Sequence, residues 1–269
     1  MLDNASPNAL PASVLSVLLP RQKVEQIMEI AQEHCLWQHA CIDVPAFDRE
    51  VQAFYDLLDM APYGTQRFQY VAPSWLALYL AVQALAVYQM TAEEGRLSGF
   101  AQQELEELPT SLLKGSIACM EAANYLEKPT MAVLQAIAIL VSCARDFADP
   151  GLSQSLLAIG IKSAQTLDLH KLSNHQTARD ADMGTKVALD SDIGKNIFWC
   201  LVIQDWYQYT YKGCCLVHPG QFNTPIPTDH SSEKSSVTPS VVFKLSFSAS
   251  LASTVRTYFA TLEDTSSAK

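Results

Sequence analysis

An all-α fold of about eight or nine helices is what this sequence predicts, and three observations carry that reading. Apolar residues recur at three- and four-residue spacing along most of the chain. Only ten glycines occur in 269 residues, too few for the repeated turns of a β-sandwich or barrel. Charged residues are 17% against 49% hydrophobic, a balance that fits helices packed on more than one side, or a surface that a partner covers. A chain of this length buries a large core as one domain or two.

The elements follow in order. Residues 1–20, punctuated by Pro7, Pro11 and Pro20, read as loosely ordered. Val24, Ile27, Met28 and Ala31 predict a helix over 21–37. His34, Cys35, His39 and Cys41 crowd behind it. Their spacing lacks the paired form that zinc chelation favours, so they read as a helix end. Val44-Pro45 breaks the pattern, and Asp48 is the candidate cap of a helix holding Val51, Phe54, Tyr55 and Leu58. A loop over 61–73 precedes a helix over 74–90, with Ser74 as its cap and Trp75, Leu78, Tyr79, Val82, Leu85 and Ala86 on one broad face. The acidic segment 91–108, with Glu93, Glu94, Glu104, Glu106 and Glu107, reads as a solvated helix face rather than an acid–base pair. Helices over 110–126 and 130–146 follow, the second capped by Thr130.

Residues 151–229 carry most of the functional information. Leu156, Ile159, Ser163 and Leu167 stripe a helix over 152–169, with Gly160 and Ala164 as a small pair beside it. A glycine inside a helix costs about 1 kcal/mol relative to alanine, which close approach of another helix at Gly160 would offset. His170 and Lys171 stand in the last turn, where positive charge suits the carbonyl end. After a polar loop over 173–184, Asp190 or Ser191 is the candidate cap of a helix over 193–211, ended by Gly213. Its aromatic band includes Trp199, Trp206, Tyr207, Tyr209 and Tyr211. Asp205 sits inside that band and needs either an arginine or main-chain N–H groups as partner. Residues 214–240 read as irregular, 240–260 as helical again, and the end as polar.

The charge, formally −10 from 28 acids and 18 bases, opposes nucleic-acid binding by this chain itself. The densest basic spots are Arg21/Lys23 and Lys162/Lys171. Seven scattered cysteines fit reduced thiols better than a disulfide frame. The longest apolar run, 131–144, suits a buried helix and not a membrane span. No signal peptide is read at the N-terminus.

Five pieces, in order, resemble the regulatory middle homology region of fungal zinc-cluster transcription factors, the fungal-specific transcription factor domain. VPAFD at 44–48 is similar to a proline-led opening, and MAVLQA at 131–136 to a T-L-Q-A-L helix. GIKSAQTLDLH at 160–170 resembles G-x-A-x-R-x-A-x-x-L-G-L-H through Gly160, Ala164, Leu167, Leu169 and His170. Phe198-Trp199 with Asp205 resembles R-R-R-x-F-W…D-R, and Pro225-Ile226-Pro227-x-Asp229 an L-P-x-D exit. The departures are Asp168 where the family usually has Gly, Gly194-Lys195-Asn196 where basic residues are usual, and Gly213-Cys214 in place of Gly-Arg-Pro.

The resemblance implies a regulatory domain over 40–262, an N-terminal segment over 1–39 that is partly helical, and a polar tail over 263–269. It implies control of RNA polymerase II transcription from the nucleus, with shuttling to the cytoplasm as a variant, through protein partners or a small-molecule effector. No catalytic residue, cofactor or metal is expected in this chain. Zinc is expected only in the family's N-terminal six-cysteine cluster, no counterpart of which occurs here, so DNA is expected to be reached through a missing or separate module. The chain reads as a fragment, a truncated gene model or a standalone regulator. Two other readings stand beside this one. The first is a small-molecule-binding or enzymatic helical protein, motivated by the aromatic band near Asp205 and His170. The second is an interaction scaffold, a homodimer included, motivated by the low charged fraction.

Overall fold

The computed structural model describes residues 12–36, 41–60, 68, 70–172, 185–212 and 214–227. Among these residues every regular element is helical. After a single turn at Ala12–Leu15 come α1 (Arg21–Ile30), α2 (Val44–Met60), α3 (Pro73–Gln89), α4 (Ala92–Leu97), α5 (Gln102–Ala122), α6 (Met131–Phe147), α7 (Pro150–Thr166) and α8 (Thr185–Lys212). The chain forms two compact units, Met1–Ile159 and Gly160–Lys269.

In the first unit α3 is the central rod. Sequence spacing suggests one broad apolar face, but every residue from Leu76 to Val87 is buried. The reason is that α5, α6, α1 and the π-helical turn Ala31–Cys35 all pack on it. A helix apolar all round needs such an environment. Gly115 on α5 lets that helix come close: a Cβ there would meet Val17 Cγ2 at 2.9 Å and Leu80 Cδ1 at 3.2 Å. Beside it, the buried Ser116 hydroxyl donates to the Ala77 carbonyl at 2.7 Å. An aromatic cluster of Phe54, Trp75 and Tyr79, with centroids 5.2–5.3 Å apart, joins α2 to α3. The Tyr55 hydroxyl donates its one proton to the Leu19 carbonyl at 3.1 Å. Tyr79 is therefore the donor in the buried 2.8 Å contact between the two phenols.

Several local expectations need correction. The turn at Ala12–Leu15, with Val14 buried, shows more order before residue 20 than the prolines suggest. Helix α2 starts at Val44, not after Asp48, because proline is tolerated in a first turn. Its cap is Asp43, which accepts from the Ala46 N–H at 3.2 Å, while Asp48 binds the Gln32 amide at 2.7 and 2.8 Å. Helix α3 takes Pro73 as its first residue, so Ser74 lies inside it. The acidic stretch is two elements. Thr91 and Glu94 form a capping box at the start of α4. Glu104 accepts the Ala101 N–H at 2.9 Å, and α5 then runs straight through Pro109. A mid-helix proline usually costs about 3 kcal/mol, and the sequence accordingly separates 91–108 from a helix over 110–126; tight packing of α5 against α3 outweighs that cost.

Thr130 does cap α6, its hydroxyl accepting from the Val133 N–H at 3.3 Å. Of the cysteine–histidine crowd, Cys35 and Cys41 are buried and His34 is exposed, 3.2 Å from Glu94, while His39 lies outside the described residues. The basic spot at Arg21/Lys23 is matched by acids: Arg21 meets Glu25, Asp56 and Asp59, and Lys23 meets Glu104. Among the described residues no helix is long and apolar enough to cross a membrane.

Candidate regulatory core

The second unit begins inside α7, where Gly160, Ile161, Ser163 and Ala164 are buried and Leu167 is half-buried. The helix stops because Asp168 turns left-handed, at φ 57° and ψ 19°. That conformation favours glycine over residues with a side chain. Asp168 holds it with local bonds: its carbonyl accepts the Lys171 N–H at 3.0 Å, and its carboxylate meets the Lys171 ammonium at 3.2 Å. A short 3-10 turn, Leu169–Lys171, follows. Leu169 is buried and His170 half-buried.

Helix α8 begins at Thr185, so Asp190 and Ser191 lie within it instead of capping it. Its buried side holds Ile197, Phe198, Trp199, Leu201, Val202, Asp205 and Trp206, whereas Tyr207 is exposed. The aromatic band is thus split between core and surface. Lys195, the one basic residue of the Gly194-Lys195-Asn196 triplet, is buried with its ammonium 3.0 Å from Asp192.

Residues 214–227 form a strap, irregular apart from the 3-10 turn Pro219–Gln221. It is pinned to α8 and to the 169–172 turn at successive points. Asp205 accepts the Leu216 N–H at 3.0 and 2.8 Å through its two oxygens, and the Val217 N–H at 2.9 Å. The Trp206 indole donates to the Val217 carbonyl at 2.8 Å, and the Trp199 indole to the Pro225 carbonyl at 2.8 Å. Phe222 sets its ring against Phe198, Trp199 and Trp206, with centroids 5.2, 5.4 and 6.1 Å away. The Asn223 N–H donates to the His170 carbonyl at 3.0 Å. Thr224 is almost wholly buried: its hydroxyl donates to the Leu169 carbonyl at 2.6 Å and accepts the Leu172 N–H at 3.1 Å.

Three stretches that sequence reading singled out therefore converge: Leu169 and His170, then Phe198, Trp199 and Asp205, then the proline-rich exit through Pro225. Pro227 is half-buried at the end of the strap, and Asp229 lies outside the described residues, as do Gly213 and the helix expected over 240–260. Sequence reasoning missed Phe222 and Thr224, which are the strap's apolar plug and polar anchor. The only signal for them was an Asn-Thr-Pro segment set in apolar surroundings.

Asp205 and His170 are both shifted by burial, in opposite directions. Burial pushes the Asp205 carboxyl up, while the Leu216 and Val217 N–H groups pull against that shift. Both carboxylate oxygens already accept main-chain donors, so the group acts as a tie. Burial lowers the His170 imidazole below its ordinary value, and its buried Nδ1 has no hydrogen-bond partner among the described residues. Among the described residues no three His, Cys, Asp or Glu side chains stand together as metal ligands.

No family model matches the chain, and no solved structure matches it. Over 220 residues, 80% of this chain, it is 23% identical to a protein of Paecilomyces divaricatus described as an agnestins biosynthesis cluster transcription factor. The match covers 31% of that protein, so the chain spans about a third of the length of its relative. The chain is related in sequence to a fungal transcription factor.

Proposed function

We propose that this chain is a transcription-regulatory helical module of the fungal zinc-cluster type, acting in the nucleus on RNA polymerase II transcription. The observation that carries the proposal is the convergence of three motif stretches on one strap: Leu169–Lys171, the Phe198–Asp205 face of α8, and residues 216–225. The similarity to a fungal biosynthesis-cluster transcription factor supports it. In this reading the chain is not an enzyme and holds no zinc. A protein partner or small-molecule effector binds the module and shifts its effect on transcription. DNA contacts come from a separate module, since a net charge of −10 disfavours them here. Asp205 speaks against the enzymatic alternative, because its oxygens are occupied by main-chain donors and are not free to move a substrate proton.

The test fuses residues 1–269 to a heterologous DNA-binding domain and reads a reporter under varied carbon, nitrogen and stress conditions. Activation or repression that the Asp205→Ala variant alters is the expected result. A fusion that is expressed and folded yet leaves the reporter at the level of the bare DNA-binding domain under every condition overturns the proposal.

A further inference from the structure

Cys214 and Cys215 are neighbours in the chain, and both are free thiols. Their setting differs from that of the other five cysteines. Cys35, Cys41, Cys119 and Cys143 are buried, and burial pushes Cys35, Cys119 and Cys143 up to about 12. Thiols held this way stay protonated and inert, because the thiolate is the nucleophile. Cys200 is half-buried on α8, where burial raises it to about 11. Cys214 is exposed and Cys215 half-buried, in irregular backbone beyond α8. Solutes reach Cys214 most readily, and a second sulfur stands next to it.

We propose that Cys214 and Cys215 form a vicinal dithiol modification site, reversibly oxidised by hydroperoxides to a disulfide within the pair, and that oxidation loosens the strap from Asp205. Cys214, as thiolate, attacks a peroxide oxygen. The O–O bond breaks, Cys214 becomes a sulfenic acid, and the other oxygen takes up the proton that the Cys214 thiol released on ionising and leaves as water or as an alcohol. The Cys215 sulfur then attacks the Cys214 sulfur. The S–S bond forms, the S–O bond breaks, and the sulfenic oxygen departs as water with the Cys215 proton. Two thiols lose two electrons, and one hydroperoxide is reduced by two.

The coupling to the strap follows from chain geometry. Leu216 directly follows the pair, and its N–H is shared between both oxygens of Asp205, with the Val217 N–H beside it. Adjacent Cα atoms stand about 3.8 Å apart across a trans peptide, short of the roughly 4.4–6.8 Å that disulfides prefer. Closing the bond has to twist the backbone at Cys214 and Cys215, and this re-aims the peptide that carries the Leu216 N–H. The same strain makes the bond easy to reduce, which suits a switch more than a staple. Burial and then the nearby Asp205 charge hold the Cys215 thiol above its ordinary range, consistent with a resolving role and with Cys214 as the attacking group. The site does not depend on the transcription-regulatory reading.

The experiment treats the reduced full chain with hydrogen peroxide, maps cysteines by mass spectrometry, and follows hydrogen exchange at the Leu216 and Val217 amides. The expected result is loss of two hydrogens within the Cys214–Cys215 peptide, with exchange at both amides faster by roughly ten-fold or more. Dithiothreitol restores both. In Cys215→Ser, a sulfenic acid at Cys214 is trapped by dimedone while amide protection is retained. Over-oxidation without an intra-pair disulfide, a disulfide only between molecules, an intra-pair disulfide with unchanged exchange, or equal loss of protection in peroxide-treated Cys215→Ser each overturns the proposal.

Discussion

The Asp205 carboxylate lies 2.9 Å from the Val217 N–H, eleven to twelve residues along the chain from its partners in the strap. Each buried N–H left without an acceptor costs roughly 1–3 kcal/mol. Asp205→Ala orphans the buried Val217 N–H and the part-buried Leu216 N–H, so it lowers stability by on the order of 2 kcal/mol. Asp205→Asn keeps one acceptor oxygen and loses about half as much. Urea unfolding of the two variants gives the ordering, and hydrogen exchange at Leu216 and Val217 shows whether the loss is local to the strap.

Thr224 makes the same argument at the other end of the strap. Its hydroxyl both donates to Leu169 and accepts from Leu172. Thr224→Val preserves shape and removes both bonds, at a cost of about 1–3 kcal/mol. Thr224→Ser keeps the hydroxyl and gives up one methyl, at a cost near 0.8 kcal/mol. Valine more harmful than serine in thermal unfolding identifies the hydrogen bonds as the cause; the reverse order assigns the effect to packing.

What the sequence made legible follows from where its physics is local. The all-α class, the Thr130 cap and the choice between arginine and main-chain N–H groups as partners of Asp205 depend on spacing, on a hydroxyl beside a helix start, and on the cost of a buried charge. These can be judged from neighbouring residues. The convergence of Leu169, Trp199 and the proline-rich exit was legible only as an ordered set of motifs, and the bonds joining them link residues 26 to 55 apart. Residues read as irregular supply Phe222 and Thr224 because the strap's order comes from tertiary anchors, not from propensity. Pro109 is the converse case: the local breaker signal there gives way to the packing of α5 on α3, which spacing alone does not display.

Asp168 carries a left-handed backbone without glycine's freedom. Substituting Gly relieves that conformation, which costs a non-glycine residue about 1–2 kcal/mol, less for Asp. It also removes the Lys171 ion pair, whose partners are 62% and 72% exposed and which therefore counts for little. Against this stands the extra chain entropy of glycine. Asp168→Gly is expected to stabilise the chain by roughly 0.5 kcal/mol. A drop in thermal midpoint would show that the local bonds of Asp168 outweigh its backbone strain.

Gly115 tests the close contact of α5 with α3. A methyl group there meets Val17 and Leu80 inside ordinary van der Waals distance. Overpacking of this kind costs about 1–3 kcal/mol, against about 1 kcal/mol that alanine gains over glycine in a helix. Gly115→Ala is expected to be neutral to destabilising by up to about 2 kcal/mol, and Gly115→Val clearly worse. Alanine stabilising by the full helix-propensity amount would mean that the two helices yield at this point.

His170 sets a pH dependence whose sign is fixed by its environment. Burial, and secondly the Lys171 charge, hold its imidazole below the ordinary value, so the folded chain prefers it neutral. In the unfolded chain the group takes a proton near pH 6.5. As pH falls through that value the unfolded state binds more protons than the folded one, and stability declines. The contribution is fully present above about pH 6.5 and is lost on acidification towards the depressed folded value. His170→Gln removes the titration and leaves the main-chain carbonyl that accepts from Asn223. Urea midpoints between pH 8 and pH 5 are expected to fall more steeply for the parent than for the variant. Parallel profiles would assign the acid sensitivity to other groups, and a steeper profile in the variant would mean that folding favours the protonated imidazole.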